Sequence, residues 1–127
     1  MSTEPRTVTI NILVTKPLEI DEPEWCAGHQ EYRAEFKPDL THNGPEIAAT
    51  FNTPHGTVDY LCAWISQAPY GSLAPEPLPV IAVEIDGTAV SLDPAGVRAF
   101  TATTRAHLDA LDRLADEAER LRGGGRP

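Results

Sequence analysis

Cys26 and His29 stand three residues apart in Glu24-Trp25-Cys26-Ala27-Gly28-His29, directly after Glu22-Pro23, and His42 follows thirteen residues later. A thiolate and an imidazole at that separation reach one metal ion, and zinc accepts that ligand pair readily. The spacing therefore predicts a metal site on Cys26, His29 and His42, with zinc as the ion. A lone Cys-x-x-His is a weak signal, because a buried thiol beside two unrelated histidines gives the same string. The stretch around it adds weight. Glu19 to Gly44 shows no apolar period and carries seven acidic residues, with Arg33 and Lys37 as its only bases. A structureless stretch of that length inside a small domain is either disordered or stapled locally, and a metal is a natural staple.

The fourth ligand is open at this level. His55 and Cys62 have the right chemistry, but a hairpin turning near His55 would carry both far from His42, since a strand rises about 3.3 Å per residue. Asp39, Glu24 or a water would then complete the shell. A closed tetrahedral shell marks a structural site, and an open position marks a catalytic one. Cys26 and His29 could instead form a nucleophile and base. That reading needs an oxyanion hole, which the surrounding residues do not supply, and nearby acids oppose thiolate formation.

The elements that position these residues follow from periodicity. Thr7 to Thr15 alternates, with Val8, Ile10, Ile12 and Val14 on one side, and predicts a half-buried strand ended by Pro17. Glu46 to Asn52 predicts a second strand, and Thr53-Pro54-His55-Gly56 a turn. Thr57 to Ser66 fits either period, and its β-branched and aromatic content favours strand. Pro69 to Pro79 predicts a proline-rich connection. Val80 to Leu92 predicts a hairpin through Asp86-Gly87, a pair suited to a tight two-residue turn. A long helix follows, with Asp93 as N-cap and Pro94 first, stopped by Gly123-Gly124-Gly125. From Asp93 to Leu121 it spans roughly 43 Å, more than a small domain of about 30 Å can cover, so its distal turns overhang. The expected fold is α+β: a small antiparallel sheet of four to five strands packed by one long C-terminal helix. One domain covers residues 1–122, with 19–45 as the acidic, metal-stapled loop and 123–127 as a flexible tail.

Composition narrows the function. The 127 residues carry a net charge of −9, with 41% hydrophobic content and 12 prolines. Its scattered bases cannot neutralise a phosphate backbone, which argues against nucleic-acid partners. No stretch has the length of a membrane span or the form of a secretion signal. Two cysteines make no disulfide framework, so free thiols in a reducing cytoplasm are expected. Tyr60, Trp64 and Tyr70 could line a ligand pocket or simply pack on the sheet. His107 reads as a satisfied structural histidine on the inner or flanking helix face. Val97, Thr104, Leu111 and Ala118 stand seven apart, with Phe100, Leu114 and Leu121 on the companion position. The helix therefore also predicts a homodimer, against a monomer whose helix frays.

Pro23-x-Trp25-Cys26-x-x-His29, then His42-Asn43-Gly44, Gln67-Ala68-Pro69-Tyr70, and Val80 to Leu92 running into Asp93-Pro94 and an Ala/Leu/Arg-rich helix together resemble an uncharacterised family of small actinobacterial proteins, a domain of unknown function. The likeness covers roughly Pro23 to Leu121. It implies a host class and a fold, and no chemistry. The residues themselves point to a small cytoplasmic interaction or regulatory protein with a structural zinc-type site. The second reading is a small metal-dependent enzyme using Cys26, His29 and His42 with an open coordination position.

Overall fold

The computed structural model describes residues 5–29, 34–72 and 76–124. Five strands form one antiparallel sheet: β1 (His42–Asn43), β2 (Ile47–Thr53), β3 (Gly56–Ala68), β4 (Glu76–Ile85) and β5 (Thr88–Leu92). A single long helix, α1 (Pro94–Gly124), packs against them, and a short 3-10 turn, Lys37–Asp39, precedes β1. The arrangement is α+β, as the periodicities indicate.

β3 is the hub. Its ambiguous apolar pattern resolves to strand because it has neighbours on both sides. β4 pairs along one edge, while β1 and β2 share the other end to end, β2 against its first half and β1 against Ser66 and Gln67. The β2–β3 hairpin turns at Pro54-His55, so His55 sits at the tip. Between the pairs Ile47↔Ala63 and Ala49↔Tyr60, Ala48 faces two residues, Leu61 and Cys62. Leu61 absorbs this bulge at a φ of 51°, in the left-handed region. The extra residue flips the alternation. Tyr60 shares a face with Ala63, and Trp64 lies on the opposite one. Together with Tyr70, which sits under the Lys37 ammonium at 4.8 Å, these rings do not line one pocket.

The β4–β5 hairpin closes on Asp86-Gly87 with φ of 52° and 79°, a two-residue turn whose twist suits the flanking strands. Asp93 caps α1 through its carboxylate, which accepts the Gly96 N–H at 2.7 Å. Gly96 also lies close to Leu92, which places the first turn of α1 on the sheet face that carries Leu92.

Three expectations are corrected. Thr7–Thr15 forms no strand and pairs with none among the described residues, and its five large apolar residues are 72–87% exposed. Alternation alone does not make a strand where no sheet edge receives it. The connection from Pro69 ends earlier than its prolines suggest, because Glu76 to Pro79 already belongs to β4. Between Ala68↔Glu76 and Ser66↔Val80 the β4 side has two extra residues, and this irregularity accommodates Pro77 and Pro79, which lack an N–H. His107 is exposed rather than packed.

Buried apolar residues among those described are few: Ala63, Ala82 and Val83. The one buried polar residue beside them is His42.

Candidate metal centre

His42 is placed by β1. It pairs with Gln67 of β3, and its neighbour Asn43 pairs with Ser66 and accepts the Trp64 indole N–H at 3.1 Å. Next to β1 lies the segment 22–29. The Cys26 N–H donates to the Pro23 carbonyl at 3.1 Å and closes a turn, with Glu24 and Trp25 in its middle. The Ala27 N–H then donates to the Asn43 carbonyl at 2.8 Å, which docks the segment on the edge of β1. Gly28, with a φ of 104°, reverses the chain and brings His29 back toward Cys26. A second glycine seals the contact. Gly44 donates to the Ile65 carbonyl at 2.8 Å, and a Cβ there would stand 3.3 Å from the Trp25 carbonyl.

This folding gathers Glu22, Cys26, His29 and His42, whose ligand atoms all lie within 4.8 Å of one another. His29 Nε2 is 3.7 Å from Cys26 Sγ and 3.0 Å from a Glu22 carboxylate oxygen. The His29 and His42 rings meet edge to face at 5.4 Å, and Trp25 stands edge to face with His42 at 6.4 Å. His42 is only 3% exposed, and its Nδ1 is the one buried side-chain polar atom among the described residues with no hydrogen-bond partner. A buried, unpartnered ring nitrogen is costly unless something satisfies it.

The donor set suits a divalent ion. Tetrahedral zinc with its usual bond lengths separates its ligands by about 3.3 to 3.6 Å; here two separations are 3.7 and 3.0 Å and all lie within 4.8 Å, so small side-chain shifts would bring the four donors onto one ion. One thiolate and one carboxylate also balance the charge of a divalent cation, with two neutral imidazoles completing four donors.

The three residues singled out by spacing thus come together, and the fourth group beside them is Glu22. Glu24 and Asp39 are not in the cluster, nor are His55 and Cys62. The reason is the turn. Glu24 sits at its middle and is carried away, whereas Glu22 precedes it and returns beside Cys26. Pro23 was the available signal, because a turn closing from Pro23 to Cys26 brings its flanks together. Cys62 lies across the sheet opposite Ala48. Desolvation, then the charge of Glu84 and a hydrogen bond to Glu46, push its thiol up from the ordinary value.

The profile of a domain of unknown function, DUF6907, matches residues 7–120. The chain belongs to that family. The match includes all four residues of the cluster and nearly all of α1. No curated protein and no solved structure shows significant similarity to the chain. No helix among the described residues is long and apolar enough to cross a membrane.

Proposed function

We propose that this DUF6907 domain is a small cytoplasmic interaction or regulatory protein, and that one zinc ion held by Cys26, His29, His42 and Glu22 staples its acidic segment to the sheet edge. The observation that carries this reading is His42. A buried imidazole with an unpartnered nitrogen, facing a thiol, a second imidazole and a carboxylate within 4.8 Å, is arranged as a ligand set. A staple would also account for the docking of segment 22–29, which has no apolar period, beside β1. Four protein donors close a tetrahedral shell, which is the form of a structural site.

One observation favours a second reading, a metal-dependent enzyme. His29 also lines an open groove of about 1030 Å³ with Phe36, Leu40 and Asn43, and the Glu22 and His29 side chains are 44% and 37% exposed. Release of Glu22 would then open a coordination position toward that groove.

Elemental analysis of protein purified without chelator tests the proposal. About one zinc per chain is expected, lost in Cys26→Ser and His42→Ala. Metal-free wild-type protein that does not take up zinc on titration would refute it. X-ray absorption of the loaded protein separates the two readings: four protein donors for the staple, three and an exchangeable oxygen for the enzyme.

A further inference from the structure

The apolar stripe of α1 starts as an internal contact and continues where the chain offers no cover. Gly96, Val97, Phe100, Thr101 and Thr104 are half-buried near the sheet, but beyond Ala110 every residue through Gly123 is exposed. Leu108, Leu111, Leu114 and Leu121 stay on that stripe and are 48–66% exposed. At 31 residues α1 is about 46 Å long. The molecule exposes 11259 Å², against about 6,600 Å² for a compact monomer of its mass. Part of this excess belongs to the exposed N-terminal segment. Even so, it is well above the roughly 800 Å² per partner that a stable interface covers.

Charge points to what covers the helix. Within α1 five arginines balance five acids, so the net charge of −9 lies entirely outside it. Its first half carries only Arg98 and Arg105, and its second half has five acids against three arginines. A basic partner would be drawn to the acidic body. The helix is neutral as a whole, so a second copy of it brings no net charge against it.

We propose that two copies of this chain associate through α1, the helices running antiparallel about a two-fold axis between Asp112 and Arg113. In that register Leu111 meets the partner's Leu114, Thr104 meets the partner's Leu121, and His107 meets the partner's Ala118. Leu108 lies beside the partner's Ala115, and the paired positions of the seam carry no Asp, Glu, Lys or Arg, while Arg105, level with the partner's Arg120, lies off it. A parallel pair would instead stack His107 on its own copy and set two strongly acidic bodies side by side. The antiparallel pair holds those bodies at opposite ends, separated by several times the screening length of about 8 Å.

Light scattering on the full chain at micromolar concentration reads the association directly. Twice the 13.8 kDa chain mass is expected. The double variant L111K/L114K should fall to the mass of one chain while its circular dichroism keeps the sheet signal, because both leucines are exposed in the single chain. If that variant aggregates, Leu121→Lys decides, with dissociation at higher concentration than wild type expected. Small-angle scattering should show an elongated dimer with a body at each end. A wild-type monomer at high micromolar concentration, a dimer indifferent to these substitutions, or two bodies in contact would overturn the proposal.

Discussion

At the scale of single residues, the four side chains of the proposed zinc site would differ in what each contributes. Cys26 and His42 would be the anchors, one a soft thiolate and the other a buried ring whose Nδ1 has no hydrogen-bond partner. Glu22 is exposed and contributes charge more than position. Its replacement by glutamine, which keeps an oxygen donor but removes the charge, should therefore weaken zinc binding rather than abolish it. Competition against a chromophoric chelator measures this. Cys62 should behave in the opposite way. Its thiol is held up by desolvation and by Glu84 and Glu46, so Cys62→Ser should leave zinc content unchanged. Its sign is that of a raised pKa in an acid: the folded state resists forming the thiolate. Stability is therefore unaffected below the ordinary thiol range and falls as pH rises through the raised value. Slow alkylation of Cys62 at neutral pH in the zinc-loaded protein, followed by peptide mass mapping, is the check.

At the scale of elements, two short signals position most of the fold. Asp93 caps the helix, and Asp86-Gly87 turns the last hairpin. Asp93→Ala should cost about 1 kcal/mol, the usual loss for a cap of this type. Gly87→Ala should cost about 1 kcal/mol or more, because alanine at a φ of 79° is strained. Thermal unfolding of both variants tests the pair. On the distal helix the Arg120 guanidinium bonds Glu117 at 2.9 Å and holds its carboxyl below the usual range. That contribution to helix stability is present above the ordinary carboxylate range and is lost as pH falls through the lowered value. Both side chains are exposed, so the effect is small and salt-sensitive.

For the whole molecule, the small core makes stability depend on what is bound. With Ala63, Ala82 and Val83 as the buried apolar residues among those described, a ligand that binds only the folded state adds a large fraction of the total. Chelation should lower the unfolding temperature and speed hydrogen exchange first in 22–29 and around His42, with β3 and β4 responding last. Uniform loss of protection across the sheet would contradict a local staple. The acidic body also predicts no measurable binding to random duplex DNA at physiological salt, which a fluorescence anisotropy titration measures.

Much of this was readable from the sequence because its causes are local. A turn needs residues that tolerate positive φ, and Asp86-Gly87 has them; a helix start needs a cap and a tolerated proline, and Asp93-Pro94 provides both. That Cys26, His29 and His42 could form one donor cluster was legible because ligand chemistry is written in residue type. Tertiary structure decided the rest. Thr7–Thr15 has the right alternation for a strand, but pairing requires a partner edge, which no local pattern encodes. Glu22 was chosen over Glu24 and Asp39 by the path of a turn and by its docking on β1. The bulge at Leu61 parted Tyr60 from Trp64, and that shift arises only when β2 and β3 are in register. Periodicity reports which side of an element is apolar. What lies against that side is a property of the assembled chain.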